Sequence, residues 1–302
     1  MDIVPGRWGV PVESHENLPP CSMVLTSGGL LVAKITSLND FLYGMVTYVA
    51  DDGSPRYWGT WTRFLGQAWR RTLNLPSPMY EPLITARQPG ALVQRLGRIA
   101  QIDPTTIIAT MSAQDPVLLA EHAKILELLA DWCGVDRNAL GIYGSAMYKP
   151  ASTQGDLDVV LYGTTACRRA HARINGQLPP RGIGHPHHLQ FHIPGGAVTL
   201  DPRFIAPHTI TRKLITEDYT DLGTEPIDGL RVIDAADGIF YPSRYTLSDE
   251  SVLLSYRVGH SAWLHPGDVL SGPPLPVYQR DDVRYRMLLR CETLTPHRTE
   301  AE

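Results

Sequence analysis

The chain is poor in cysteine and in charge, and it has no basic surplus. Cys21, Cys133, Cys167 and Cys291 stand far apart in 302 residues and form no C-x-x-C pair. That spacing excludes the usual structural zinc ligand sets, and it argues against a disulfide scaffold at this length. No apolar run approaches the ~18 residues of a membrane helix. The opening MDIVPGRWGV lacks the basic-then-apolar layout of a signal peptide. A soluble, cytoplasmic protein with no membrane partner is expected. Lys+Arg is 27 against Asp+Glu at 31, a net charge of −4, so nucleic-acid binding would need a local patch. There is no P-loop, no G-x-S-x-G elbow and no H-E-x-x-H.

What remains is a core-forming composition, 43% hydrophobic and 19% charged. Glycine at 26 and proline at 25 predict many turns and short strands, and disfavour a helical bundle. Met23 to Leu25, Leu30 to Ile35 and Tyr43 to Val49 alternate with turn signals, Ser27-Gly28-Gly29 and Asn39-Asp40, and predict an antiparallel meander. Tyr57, Trp58, Trp61 and Trp69 read as the aromatic core of this β-rich region. Asp115-Pro116 is an N-cap with proline at the first helical position, and apolar residues at helical spacing predict one helix over 116–133. His122 on its apolar side reads as a packed core histidine. Leu140 to Tyr143 and Leu157 to Tyr162 are strand candidates. Thr164 or Thr165 can cap a following helix, and residues 189–204 form a hairpin around Pro194-Gly195-Gly196. Beyond Ile227, short strand candidates separated by turns predict a small β-barrel.

The chemistry is concentrated in Tyr143-Gly144-Ser145, ten residues, then Asp156-Leu157-Asp158. Two aspartates separated by one residue on a strand share a face while Leu157 points to the core. Such carboxylates suit one or two Mg²⁺ ions, which bind through few protein ligands plus substrate phosphates. Two ions can clamp the attacking and leaving oxygens of a displacement at phosphorus. Gly144 permits close approach of backbone to a phosphate, and Ser145 adds donors. Asp201, in a later strand candidate, is placed to bind the metal and help deprotonate an acceptor hydroxyl.

The segment GIYGSAMYKPASTQGDLDVVLYG resembles the nucleotidyltransferase superfamily of DNA polymerase beta. That superfamily carries an apolar residue, Gly and Gly/Ser, about nine to thirteen residues, Asp-x-Asp/Glu, and a later strand carboxylate. Gly144, Ser145, Asp156, Asp158 and Asp201 match residue by residue. Gly155 departs from the pattern, standing where many members have serine or threonine. The layout also looks like the predicted nucleotidyltransferases widespread in archaea, with a β-rich amino-terminal region and a trailing small β-barrel.

The resemblance implies an α+β fold, a mixed-sheet nucleotidyltransferase core over residues 113–226. A β-rich domain over 1–112 precedes it and a small β-barrel over 227–302 follows. It implies transfer of a nucleoside monophosphate from an NTP to a hydroxyl acceptor, with Mg²⁺ or Mn²⁺ on Asp156, Asp158 and Asp201. Gly144, Ser145 and Lys149 would contact the phosphates. The net charge favours a small-molecule or protein acceptor. An RNA 3′ end stays open, with Tyr241, Tyr245 and Tyr256 as stacking platforms. Arg168, Arg169 and Arg173 read either as phosphate forks or as a solvated helix face. His185, His187, His188 and His192 read as a loop in preference to a metal site. The competing reading is a non-catalytic nucleotide- or RNA-binding module.

Overall fold

The computed structural model describes residues 15–50, 61–64, 67–72, 77–90, 93–94, 99–147, 156–176, 191–194, 198–205, 219–256, 258–288 and 294–297. By its contacts the chain divides into two units. One is Met1–Ala130 with Leu140–Val160 and His192–Leu200; the other is Asp131–Ala139 with Leu161–Phe191 and Asp201–Glu302.

The meander expected near the amino terminus is present as β1 (Met23–Thr26), β2 (Leu30–Leu38) and β3 (Phe41–Ala50), paired antiparallel. Asn39 and Asp40 join β2 to β3 with φ of 49° and 61°, the two-residue hairpin turn whose twist matches the strands. Next come β4 (Trp61–Phe64), β5 (Gln67–Arg71), α1 (Ser77–Arg87), β6 (Val93–Gln94), β7 (Ile99–Ile102) and β8 (Ile107–Met111). These strands form one sheet in the order β4-β5-β3-β2-β1-β8, with β7 on β3 and β6 on β7. Alternate residues Val24, Leu30, Val32, Leu42 and Val46 pack with Ile84 and Ile102 beneath it. Trp69 is fully buried, as an aromatic core requires. Tyr57, Trp58 and the side chain of Trp61 lie outside the described residues. Lys34 is buried in this sheet and donates to the carbonyls of His15, Glu16 and Leu18. Its three donors meet three acceptors, and burial pushes its pKa down to about 8.

Asp115 caps α2 (Pro116–Glu121) by accepting from the N–H groups of Val117 and Leu118, both at 3.0 Å. The single helix expected over 116–133 is instead two. At His122 the backbone leaves helical geometry (φ −110°, ψ 16°) and its N–H turns to Ala120, so the i→i−4 ladder restarts in α3 (Ala123–Cys133). His122 is half-buried at that junction. β9 (Leu140–Ile142), a 3₁₀ turn over Gly144–Met147, β10 (Asp156–Leu161), α4 (Thr164–Asn175), β11 (Phe191–His192) and β12 (Thr199–Ile205) follow. Gly163, with φ of 86° and no side-chain bond, occupies the N-cap of α4; the threonines expected there lie inside the helix. Cys167, Ala170 and Ile174 form its buried stripe.

The remainder is strand: β13 (Thr220–Glu225), β14 (Val232–Asp234), β15 (Phe240–Tyr241), β16 (Ser243–Leu247), β17 (Val252–Ser255), β18 (Val269–Ser271), β19 (Leu275–Arg280), β20 (Val283–Leu288) and β21 (Thr295–His297). A five-stranded sheet takes the order β11-β12-β10-β9 with β15 on β12; a six-stranded one takes the order β13-β19-β20-β17-β16-β14; β18 and β21 form a ribbon. Val232, Tyr245, Leu247, Leu253, Trp263 and Leu275 pack as one core under the six-stranded sheet.

This overturns the expected α+β nucleotidyltransferase core. Of the described residues 46% are in strands and 25% in helices, with four α-helices spread among several sheets. The physical reason is punctuation: with 26 glycines and 25 prolines, apolar stretches end after a few residues, and the best helical run breaks at His122. The carboxy-terminal β-barrel is corrected too, because the described residues contain no closed barrel. Closure needs the two edge strands to pair, but β13 and β14 end the sheet and expose Asp221 and Asp234, charges that blunt an edge.

Candidate functional site

Leu140, Gly141 and Ile142 in β9 are buried and held on both sides. Ile142 N–H donates to Ala113 O at 2.8 Å, and Tyr143 N–H donates to Asp158 O at 3.1 Å. The Gln114 amide donates to Leu140 O at 3.2 Å. In β10, Leu157 and Val159 are buried to 1% and 0% exposure. Asp156 and Asp158 are half-buried and share the opposite face of the strand.

The contact that organises the site is between Gly144 and Asp158. Gly144 has φ of +71°, and a Cβ built there would stand 2.0 Å from Asp158 Oδ2 and 2.7 Å from its Cγ. Only glycine both adopts this turn and leaves the carboxylate its place. The sequence suggested glycine here for phosphate approach; the structure sets a carboxylate against it. Half-buried Ser145 follows, and buried Ala146 and Met147 anchor the turn. Gly144→Ala is therefore expected to cost ~1–2 kcal/mol from backbone strain, measurable by urea denaturation. It should also displace the Asp158 carboxylate and remove any response to nucleotide that depends on it.

Two half-buried carboxylates on one strand face are hard oxygen donors of the kind Mg²⁺ takes together with substrate phosphates, so Asp156 and Asp158 fit such an ion. Asp201, in β12, is buried to 4% exposure. Among the described residues no three His, Cys, Asp or Glu side chains gather to hold a metal ion. Lys149, Gly155, His185, His187 and His188 lie outside the described residues. His192 is exposed, its Nε2 3.2 Å from the Thr199 hydroxyl.

The three arginines of α4 have structural partners. Arg168 pairs with Asp237 at 3.6 Å, Arg169 donates to Gly134 O at 2.7 Å, and the Arg173 guanidinium lies 5.4 Å from the Trp132 ring centroid. Tyr241, Tyr245 and Tyr256 are buried and so present no face for a base to stack on, which removes them as platforms. Tyr245 instead donates to His260 O and accepts from Trp263 N–H. Burial pushes the Cys167 thiol up to about 12, which excludes a reactive thiolate there. Sequence reading passed over Arg203, Tyr219, Asp237 and Arg244, which are dispersed along the chain and belong to no local motif.

No family model, no curated protein and no solved structure matches the chain. Among the described residues no helix is long and apolar enough to cross a membrane.

Proposed function

We propose that this protein is a nucleotidyltransferase, dependent on Mg²⁺ or Mn²⁺, that transfers a nucleoside monophosphate from an NTP to a hydroxyl acceptor. The observation that carries the reading is the Asp158 carboxylate lying against left-handed Gly144, with Asp156 on the same strand face. The reading rests on this motif and not on an α+β core. Asp156 and Asp158 would hold the divalent ion, which when bound neutralises charge developing on the phosphates. Asp201 would accept the proton of the acceptor hydroxyl as its oxygen bonds to the α-phosphorus and pyrophosphate leaves. Backbone N–H groups at Gly144 and Ser145 would orient the β- and γ-phosphates, and Lys149 would contact them.

A small-molecule or protein hydroxyl is the favoured acceptor over an RNA 3′ end. A net charge of −4 and the burial of all three candidate stacking tyrosines support that choice. A cytoplasmic setting is supported by Cys21, Cys133 and Cys167, which are buried thiols.

One observation favours a second reading, a non-catalytic nucleotide-binding module: among the described residues no three His, Cys, Asp or Glu side chains gather around one point. The two are separated by recording thermal midpoints with ATP, CTP, GTP and UTP, each with and without Mg²⁺ or Mn²⁺, and assaying pyrophosphate release with a hydroxyl-acceptor panel. A metal-dependent rise in midpoint with pyrophosphate release supports the transferase. A rise without release supports the module. No rise with any nucleotide at millimolar concentration overturns both.

A further inference from the structure

The second unit contains a cluster that the aspartate motif does not use. Asp237 is shared by two guanidinium groups, Arg168 at 3.6 Å and Arg244 at 3.5 Å, so one carboxylate faces two positive charges. Nearby in the chain, Tyr241 carries the Arg203 guanidinium 4.8 Å from its ring centroid, and it meets Tyr256 edge-to-face at 5.9 Å. Tyr256 is 5% exposed. Its hydroxyl, the Tyr219 hydroxyl and the Arg244 Nε–H are all buried without a hydrogen-bond partner among the described residues.

We propose that this cluster is a binding site for the phosphoryl group of a small molecule. Each unmet buried polar group costs ~1–3 kcal/mol, and folded proteins leave few of them. Here three groups able to donate fall in one cluster beside surplus guanidinium charge. An acceptor-rich anion satisfies all of them together. A phosphoryl group offers three acceptor oxygens, and guanidinium groups bind it with paired, charge-assisted hydrogen bonds. Burial raises the pKa of both phenols, which keeps them protonated and able to donate. Tyr285 and the Asp281 carboxylate push the Tyr219 hydroxyl the same way while the Arg244 charge opposes them, and Tyr241 and Tyr219 add to the effect on Tyr256.

The side chains of Arg168 and Asp237 are 55% and 36% exposed and form a solvent-facing rim. The rim is fixed because Arg244 N–H also donates to Asp237 O at 3.3 Å, tying β16 to the turn before β15. This inference stands without the nucleotidyltransferase reading, since it uses neither Asp156 nor Asp158.

The test is calorimetric titration of the full chain with inorganic phosphate and with a phosphate monoester, against acetate at matched ionic strength. Saturable binding of both phosphates and not of acetate is expected. Tyr219→Phe and Tyr256→Phe should each weaken it ~10-fold or more, the worth of a hydrogen bond to a charged group. Their thermal midpoints should not fall, because each removes a hydroxyl that has no partner. Asp237→Asn should tighten binding by removing the competing carboxylate. No saturation by about 10 mM phosphate, a Kd too weak for a built site, overturns the proposal. So does equal binding of acetate, or unchanged affinity in both phenylalanine variants.

Discussion

Asp158→Asn is expected to abolish the metal-dependent midpoint rise with nucleotide, and to cut any pyrophosphate release by about 10³-fold or more, while leaving the folded state intact. The substitution keeps the shape of the side chain lying against Gly144, so the turn has no reason to move. What it removes is one of two negative charges on the half-buried face of β10, half of the donor set offered to a divalent ion. Asp156→Asn should behave alike. The double variant should be hardly worse than either single one, because groups that act as a unit lose their effect together. Leu157, between them, is buried to 1% exposure and supplies the fold term, so Leu157→Ala should instead lower stability. Retention of the metal-dependent rise by Asp158→Asn would refute the transferase reading and leave the phosphoryl cluster untouched.

The largest stability effect is expected at Arg286. The residue is 3% exposed, and its guanidinium reaches Asp249 at 2.7 Å and Glu225 at 3.0 Å. It donates further to the Ser251 hydroxyl and to Pro226 O, both at 3.0 Å. Arg284 joins from the same strand, 2.8 Å from Glu225 and 3.2 Å from Asp249. Asp249 thus sits inside an ionic network. Arg286→Met preserves bulk but leaves Arg284 as the one guanidinium on both carboxylates and strands the Pro226 carbonyl, and should cost about 3 kcal/mol by denaturant unfolding.

The pH dependence follows with a definite sign. Burial alone would raise the Asp249 carboxyl, but the Ser251 and Arg286 hydrogen bonds and the Arg286 charge outweigh it and hold it below its ordinary value. A group depressed in the folded state stabilises fully above its unfolded pKa, and the contribution is lost as pH falls through the folded one. Wild type should therefore lose stability on acidification below the ordinary carboxyl range. Arg286→Met should show a flatter profile there.

Much of the local structure was legible because neighbours along the chain decide it. Alternating apolar residues in β1 to β3, with Asn39-Asp40 between, specify strands and a turn. Asp115-Pro116 specifies a helix start, and Leu157 between two aspartates specifies which way both carboxylates face. Pairings over long separations were not legible. β17 pairs in parallel with β20, from residues some thirty positions later, and this leaves β13 and β14 as open edges where a barrel was expected. The short elements could have been assembled in several ways, and only burial of Tyr245, Leu253 and Leu275 in one core selects among them. That same burial removed the tyrosines as stacking platforms and brought Arg286 to its carboxylates. The sequence by itself determined the elements and the chemical character of the aspartate motif. Tertiary structure decided which sheets form, that Gly144 yields its Cβ position to Asp158, and that dispersed arginines and phenols meet, because those outcomes depend on side chains that are neighbours in space alone.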